Sequence, residues 1–315
     1  MDKPELLVMG ELPDWDLAPM AERYTLHLLY AAPEPEALLA ACAPRIRGIV
    51  TKGEIGASAA LMQRLPRLEI VACYGVGVDA IDRAWCAAHG VPVTNTPDVL
   101  TEDVADMAFA LLLGVARRIP QADAWVREGR WVGEGSMPLT TRVWGRRLGI
   151  VGLGRIGRAV ARRAEGFDMR IAYSGRSPKP DLSYAYHPSP AALAPHCEVM
   201  VCCAMGGPAT EGLIDRAAID ALPPGAIFVN VSRGSCVDEA ALLAALREGW
   251  IALAALDVFR NEPAIDPEFA RLPNVLLAPH AASGTVATRQ AMGALMQENL
   301  AAHFAGQPLP TEIRP

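Results

Sequence analysis

The sequence predicts an α/β fold made of two domains, each built around a parallel sheet. Short apolar segments alternate with helical segments over the first hundred residues, and the alternation starts again at Leu148. Such repeated strand and helix units are typical of parallel strands joined by right-handed crossovers. With 315 residues, of which 51% are hydrophobic, the chain is long enough to bury two cores.

The two series of elements are expected to form separate domains. Strands of the first series are placed at residues 6–9, 26–30, 48–51 and 70–73, with helices at 34–42 and 58–64. Strands of the second are placed at 148–152, 170–174, 198–203, 226–231, 251–256 and 275–278, with helices at 155–165 and 238–247. Longer helical patterns at 101–118 and 284–304 connect them. We therefore expect one domain from residues 1–100 and 284–315 and another from 101–283, with residues 131–144 as an extended arm.

The composition argues against several classes of partner and compartment. The formal net charge of −6 does not favour nucleic acid or an anionic membrane, and no apolar stretch reaches the length of a membrane span. Residues 1–5 lack the regions of a secretory signal. The seven cysteines lie mostly in apolar runs without C-x-x-C spacing, as expected for reduced thiols in a cytoplasmic protein that holds no metal.

The strongest local signal is the turn Gly152-Leu153-Gly154-Arg155-Ile156-Gly157, which follows an apolar strand and leads into a helix. Gly152 permits the tight turn, Gly154 lets the backbone approach a pyrophosphate, and Gly157 lets the helix pack closely on its strand. The free N–H groups at the helix start face the anion. The pattern predicts a Rossmann-type dinucleotide site in residues 101–283, with a ligand-free glycine turn as the alternative. Further cofactor contacts are expected at Thr101, Ala204 and Val231.

The second strand of this domain predicts which dinucleotide is bound. NAD sites usually carry an acidic residue about 20 positions after the glycines, where it binds the adenosine ribose. Here the strand is followed by Gly175, Arg176 and Ser177, and no carboxylate follows before Asp181. A carboxylate about 4 Å from a 2′-phosphate costs roughly 4 kcal/mol at an effective dielectric near 20, whereas arginine binds a phosphate in a bidentate manner. We therefore predict NADPH, with a solvated Arg176 stacked on adenine as the alternative.

Three later segments place polar residues at strand ends, where open α/β sheets bind ligands. They carry Arg233, the pair Asp257 and Glu262, and His280. Reduction of a 2-oxo acid needs a cation beside the carboxylate and carbonyl, a proton donor to the nascent alkoxide, and a hydride donor. Arg233, His280 and a nicotinamide meet these needs. Histidine titrates near neutral pH, and a carboxylate such as Glu262 orients it and favours its protonated form.

Each of these residues also has an ordinary structural interpretation. His280 could cap the helix that follows, Arg233 could pair with Asp238, and Glu262-Pro263 could form a surface turn. Asp257 could cap a loop, or it could accept a hydrogen bond from the nicotinamide carboxamide. Their joint occurrence after a phosphate-binding turn favours the catalytic interpretation.

In its order of motifs the chain resembles the D-2-hydroxyacid dehydrogenase family over nearly its whole length. The matching motifs are the glycine turn, Ser232-Arg233-Gly234, residues 254–259 with Glu262-Pro263, and Pro279-His280. Residues 94–101, 138–141 and 177–181 are similar to the hydroxyphenylpyruvate and glyoxylate/hydroxypyruvate reductase branch, whose members generally prefer NADPH. The resemblance implies an active site in the cleft between the domains.

The resemblance also implies a role for each polar residue. Arg233 is expected to bind and polarise the substrate, Glu262 to orient the histidine, and His280 to act as acid and base. The loop Gly75-Val76-Gly77 of the first domain is implied to meet the substrate carboxylate through backbone N–H groups. A glycine-containing loop after a strand suits this task, and the alternative is an ordinary strand-to-helix turn.

The chain departs from the family pattern at two places. Relatives commonly carry a proline after the fourth strand of the cofactor domain, where this chain has residues 203–208. They often have a small residue and a glycine after the histidine, where this chain has residues 281–284. Neither change removes a catalytic group.

The sequence therefore predicts a cytoplasmic, NADPH-dependent reductase that converts a small 2-oxo acid, such as glyoxylate, hydroxypyruvate or an aryl pyruvate, to the D-2-hydroxy acid. One alternative is an NAD(P)H-sensing protein without catalysis, similar to corepressors that resemble this family. Another is an NAD-dependent phosphoglycerate dehydrogenase, which is less favoured because the chain ends soon after Phe304, without room for a regulatory domain. The apolar helix from Thr101 and the arm with Trp131 and Trp144 predict a homodimer.

Overall fold

A computed structural model, which describes residues 3–313, divides the chain into two compact units. The first combines Met1–Leu100 with Gly284–Pro315, and the second is Thr101–Ser283. None of the helices in residues 3–313 has both the length and the apolar character needed to cross a bilayer.

The first unit is built on a five-stranded parallel sheet with the order β2-β1-β3-β4-β5. Its strands are β1 (Glu5–Val8), β2 (Thr25–Leu28), β3 (Ile46–Thr51), β4 (Ile70–Cys73) and β5 (Val93–Thr94). Its first helices are α1 (Asp14–Arg23), α2 (Pro35–Cys42), α3 (Ala59–Met62) and α4 (Arg83–Ala88). All four residues of β4 are buried, as expected for a central parallel strand covered on both faces.

The second unit contains a seven-stranded parallel sheet with the order β12-β11-β10-β9-β6-β7-β8. Its strands are β6 (Arg147–Val151), β7 (Arg170–Ser174), β8 (Ala185–His187), β9 (Val199–Cys202), β10 (Ala226–Asn230), β11 (Ile251–Leu256) and β12 (Val275–Leu277). Its helices are α5 (Thr101–Ala116), α6 (Ile119–Arg127), α7 (Arg130–Glu134), α8 (Arg155–Glu165), α9 (Pro190–Leu193), α10 (Arg216–Asp220), α11 (Glu239–Arg247) and α12 (Pro267–Arg271). The last helix, α13 (Val286–Phe304), belongs to the first unit.

The strand order of the second unit places a ligand crevice at β6. From β6 the chain runs outward through β7 and β8, then returns to the other side of β6 at β9. Ligands of open α/β sheets bind at the carboxyl ends of the strands where the order reverses in this way. The glycine turn follows β6 directly, so it lies at this point.

The sequence-based elements agree with the structure where the apolar runs are long. The bounds expected for β4, α8, β7 and β11 are confirmed. The prediction of an extended arm at residues 131–144 is wrong at its start, because residues 130–134 form α7. An ion pair between Arg130 and Glu134 joins the two ends of this helix. Strand β5 was not expected because it is only two residues long.

Candidate active site

The glycine turn after β6 has the shape that a dinucleotide requires. Gly152 has φ +93°, and a Cβ there would lie 2.7 Å from the Cα of Ala204. A Cβ at Gly157 would lie 2.2 Å from the carbonyl oxygen of Gly152, so α8 packs directly on the turn. No described atom beyond the chain neighbours lies within 4 Å of a Cβ at Gly154, which leaves the approach to the start of α8 open. The turn therefore fits a pyrophosphate at the helix N-terminus.

Helix α8 is anchored to α5 by a network of ion pairs. Arg163 contacts Asp106 at 2.6 Å and Glu102 at 2.9 Å, and Arg162 contacts Glu102 at 2.6 Å. Exposed pairs contribute little singly, but a shared network fixes two helices relative to each other. Thr101, a predicted cofactor residue, begins α5, so this network also fixes the position of Thr101 relative to α8.

The end of β7 offers cationic and hydroxyl groups. Arg176 and Ser177 are exposed just beyond the strand. Asp181, the next carboxylate along the chain, is paired with Arg158 at 2.6 Å. Ser174, the last residue of β7, is buried, and its hydroxyl has no partner among the described residues. These residues fit a 2′-phosphate better than a ribose hydroxyl that needs an acidic acceptor.

The other predicted cofactor residues lie at the same edge of this sheet. Ala204 and Val231 are buried just beyond the ends of β9 and β10. Within the glycine turn, Leu153 is buried and packs inward, whereas Arg155 is exposed at the start of α8. Ile156 is half-buried.

The structure brings His280 and Glu262 into direct contact. His280 Nδ1 lies 2.6 Å from Glu262 Oε2, and the backbone N–H of Phe259 donates to Glu262 Oε1 at 2.7 Å. Both side chains are largely buried, with 32% of His280 and 23% of Glu262 exposed. The carboxylate is thus held on both oxygens, which leaves Nε2 as the imidazole atom that can face a substrate.

Electrostatics favour an ionised pair. The hydrogen bond that His280 donates to Glu262 raises the pKa of His280, against the opposing effects of burial and of the charge on Arg233. Burial tends to raise the pKa of Glu262, but the hydrogen bonds from His280 and Phe259 and the nearby charges outweigh it, so this pKa is lowered. The positive charge of Arg233 acts on both groups and tends to lower the pKa of each.

Asp257 holds the backbone on which His280 lies. Its side chain is fully buried, and its two oxygens accept hydrogen bonds from the N–H groups of Ala281 at 2.7 Å and Ala282 at 2.9 Å. Its carbonyl oxygen accepts from the N–H of His280 at 2.8 Å. The loop-capping interpretation of Asp257 is therefore confirmed, while the contact with a nicotinamide carboxamide stays a prediction.

The structure excludes the helix-cap alternative for His280, whereas the pairing of Arg233 with Asp238 stays untested. The cap of α13 is Thr285, whose hydroxyl accepts from the N–H of Thr288 at 3.2 Å, so the interpretation of His280 as a helix cap is wrong. Asp238 caps α11 by accepting from the N–H of Ala241 at 3.0 Å.

In the first unit, the loop Gly75-Val76-Gly77 has its carbonyl groups occupied. The oxygen of Gly75 accepts from the N–H of Thr96 at 2.9 Å, that of Val76 from Asn95 Nδ2 at 2.9 Å, and that of Gly77 from the Cys73 thiol at 3.3 Å. Among the described residues, none accepts from the three N–H groups of this loop. The loop therefore offers donors to an anion, and the sequence reasoning missed Asn95 and Thr96, which set this orientation.

Comparison with known proteins identifies the family of the chain. Residues 109–282 match the model of the D-isomer specific 2-hydroxyacid dehydrogenase, NAD binding domain. The chain belongs to this family. This dehydrogenase is 44% identical over 313 residues to hydroxyphenylpyruvate reductase from Plectranthus scutellarioides, covering 99% of this chain and 100% of that protein.

Two solved structures of the family share its fold. The 2-hydroxyacid dehydrogenase from Ketogulonicigenium vulgare Y25 matches with a TM-score of 0.92 and 48% identity, covering 100% of this chain and 99% of that chain. The NADPH-dependent glyoxylate/hydroxypyruvate reductase from Sinorhizobium meliloti, in complex with NADP and malonate, matches with a TM-score of 0.92 and 41% identity over 99% and 97% of the two chains. The predicted family, its branch and the two-domain α/β fold class are confirmed.

Proposed function

We propose that this protein reduces a small 2-oxo acid, in the class of glyoxylate, hydroxypyruvate or an aryl pyruvate, to the D-2-hydroxy acid with NADPH. The observation that carries the proposal is the His280–Glu262 pair at 2.6 Å, in the same unit as Arg233 and the dinucleotide turn. Relatives with 41–44% identity over nearly the whole chain are named reductases of such acids or bind NADP.

The site residues have defined roles in the proposed reaction. Arg233 binds the substrate carboxylate and polarises the carbonyl oxygen. When bound, NADPH supplies the hydride to the carbonyl carbon. His280, protonated and oriented by Glu262, donates the proton from Nε2 to the carbonyl oxygen as negative charge develops there. The N–H groups of the loop 75–77 bind the substrate carboxylate.

A substrate panel with NADPH tests the activity. We expect consumption of NADPH with acids from glyoxylate to an aryl pyruvate, and a drop of roughly 10²–10⁴-fold in kcat for His280→Ala. Near-normal turnover of that variant at neutral pH would contradict the proton-donor role. Binding of NADPH without turnover of any acid would favour the alternative of a dinucleotide-sensing protein.

The preference for NADPH rests on Arg176. A charge-assisted hydrogen bond contributes about 1.5–3 kcal/mol, so Arg176→Ala is expected to lower kcat/KM for NADPH by roughly 10–100-fold. The value for NADH should stay within about threefold, because NADH lacks the 2′-phosphate. Arg170→Ala, at the other end of β7, is the matched control. A wild-type preference for NADH that Arg176→Ala leaves unaltered would refute this assignment.

The protein is further proposed to act as a homodimer. Large apolar side chains are exposed along α6, α7 and the segment that follows, with Val132 95% and Leu139 99% exposed. Clustered apolar exposure of this kind is typical of an interface, and Trp131 and Trp144 extend it. We expect a dimer in analytical ultracentrifugation and a monomer for Val132→Asp/Leu139→Asp. Tyr30→Asp, at an exposed apolar residue of the first unit, should stay dimeric.

A cytoplasmic location is part of the same proposal. All seven cysteines are free thiols, and six of them are buried. Unpaired cysteines in this number are typical of proteins kept in a reducing compartment. Fractionation of cells that produce the protein tests the location, and recovery in an extracytoplasmic fraction would contradict it.

A further inference from the structure

We propose that Asn230 and Ser232 are positioning residues for Arg233, and that they fix the distance between its guanidinium group and the imidazole of His280. The inference rests on the substrate-binding role proposed for Arg233. Neither residue needs to touch the substrate. They act through the short turn that joins the end of β10 to Arg233.

The side chain of Asn230 bonds to the turn at three points. Its Oδ1 accepts from the backbone N–H of Ser232 at 3.0 Å and from the Ser232 hydroxyl at 2.9 Å. Its Nδ2 donates to the carbonyl oxygen of Arg233 at 3.0 Å. A side-chain amide accepts through its oxygen and donates through its nitrogen at the same time. The turn therefore has one defined backbone path.

The guanidinium group is tied to the same turn. Arg233 Nη1 donates to the carbonyl oxygen of Ser232 at 2.9 Å. The position of the charge thus depends on the peptide group that Asn230 and Ser232 hold. The carbonyl of Ser232 is one of the anchors of this long and flexible side chain, so displacement of that peptide group would move the charge.

Burial makes these hydrogen bonds strong constraints. Asn230 is 2% exposed and Ser232 is 7% exposed. The Ser232 hydroxyl donates to Asn230 and lies 3.1 Å from the thiol of Cys202, which is fully buried at the end of β9. A buried polar group that loses its partner costs free energy. The turn is therefore fixed in the conformation that satisfies all of these hydrogen bonds.

The same network reaches the catalytic histidine. The carbonyl oxygen of Asn230 accepts from the N–H of Asp257 at 3.0 Å, and the carbonyl oxygen of Asp257 accepts from the N–H of His280 at 2.8 Å. A second link runs through Gly234, where a Cβ would lie 1.9 Å from the carbonyl carbon of Phe259, whose N–H binds Glu262. Arg233 and the His280–Glu262 pair are therefore built on one set of backbone contacts.

The test uses Asn230→Leu, which is similar in size and removes both the donor and the acceptor. We expect the KM for glyoxylate to rise roughly 10–100-fold, because displacement by about 1 Å has effects of this size. The KM for NADPH should stay within about twofold. Because Arg233 lowers the pKa of His280, a displaced guanidinium should also move the high-pH limb of kcat/KM to higher pH. Ser232→Ala should change both quantities in the same direction and by less.

Asn274→Leu is the matched control. Asn274 Nδ2 donates to the carbonyl oxygens of Leu246 and Ala252 at 3.2 Å each, in the same unit but remote in the sheet from the turn. This variant should lose thermal stability while its KM and pH profile stay those of the wild type. If Asn230→Leu behaves in the same way, the positioning role is wrong and the network only stabilises the fold. Should Asn230→Leu fail to fold, an unchanged KM and pH profile of Ser232→Ala would overturn the positioning role in its place.

An Arg233→Ala background separates this proposal from the one on which it rests. If Asn230 acts through Arg233, adding Asn230→Leu to Arg233→Ala should cause no further loss in kcat/KM, and a full additive loss would overturn the proposal. If Arg233→Ala alone leaves the KM for glyoxylate unchanged, the substrate role of Arg233 is wrong and the positioning role falls with it. If Arg233→Ala raises this KM and Asn230→Leu does not, only the positioning role is wrong.

Discussion

Replacing Glu262 with glutamine should shift the pH dependence of reduction to lower pH and slow the reaction at neutral pH. The substitution keeps the size of the side chain but removes the charge 2.6 Å from His280 Nδ1. A hydrogen bond to a charged partner contributes about 1.5–3 kcal/mol, and each 1.4 kcal/mol is about tenfold in rate, so kcat/KM at neutral pH should fall roughly 10–100-fold. Both side chains are less than one-third exposed, so solvent screens this interaction only partly.

The direction of the pH shift follows from the sign of the interaction. Glu262 raises the pKa of His280, so the imidazole stays protonated to higher pH than a free histidine. In the proposed reaction His280 donates the proton, so kcat/KM is expected to fall as the pH rises through this pKa. Removing the negative charge lowers the pKa, and the falling limb then moves to lower pH.

The assay is kcat/KM against pH with glyoxylate and saturating NADPH. Glu239→Gln is the control, because Glu239 is also a partly buried carboxylate. It accepts a hydrogen bond from the N–H of Arg260 at 2.9 Å and makes none to His280 among the described contacts. Its falling limb should overlie that of the wild type. If the limb of Glu262→Gln overlies it as well, Glu262 does not control the protonation of His280, and the electrostatic argument is refuted.

Further predictions concern the turn, the loop after β12 and the first unit. Gly154→Ala should keep the wild-type melting temperature but raise the KM for NADPH, because its Cβ enters open space at the phosphate site. Gly157→Ala should also lower the melting temperature, because its Cβ would lie 2.2 Å from the carbonyl oxygen of Gly152. Asp257→Asn should lower the free energy of unfolding by about 1–3 kcal/mol, measured with denaturant, because one buried N–H loses its acceptor. Burial raises the pKa of Asp16, whose ionisation therefore costs stability as the pH rises through that pKa. Asp16→Asn should melt higher than the wild type in alkaline buffer, and this advantage should vanish in acid; an advantage that is equal at both would contradict the ionisation argument.

The sequence predicts the site residues whose place in a motif or at a strand end can be read without the folded structure. Gly152 and Gly157 follow a strand and begin a helix, and the carboxyl ends of parallel strands share one edge, so Arg233 and His280 could be expected at that edge before their contacts were known. The pairing of Glu262 with His280 followed from chemistry, because an acid catalyst of this kind needs an oriented and protonated imidazole.

The residues that the sequence did not identify act through contacts made only in the folded chain. Asn230 is the last residue of an apolar strand, and nothing in its neighbourhood shows that its amide turns back to residues 232 and 233. Asn95 and Thr96 orient the loop 75–77 from about 20 residues further along the chain. Helix α7 was missed because its sequence contains a valine, a tryptophan and a glycine, all of which have low helix propensity.

The backbone conformation of His280 explains why Asp257 makes several hydrogen bonds to residues 280–282. His280 has φ +51°, in the left-handed region, where a residue other than glycine costs about 1–3 kcal/mol. The three hydrogen bonds that Asp257 accepts from residues 280–282 are together worth more than this, because two of them go to a buried carboxylate. The folded protein therefore holds this left-handed conformation, in which the imidazole contacts Glu262. A relaxed backbone at residue 280 would direct the imidazole elsewhere, so the proton-donor role proposed for His280 also depends on Asp257.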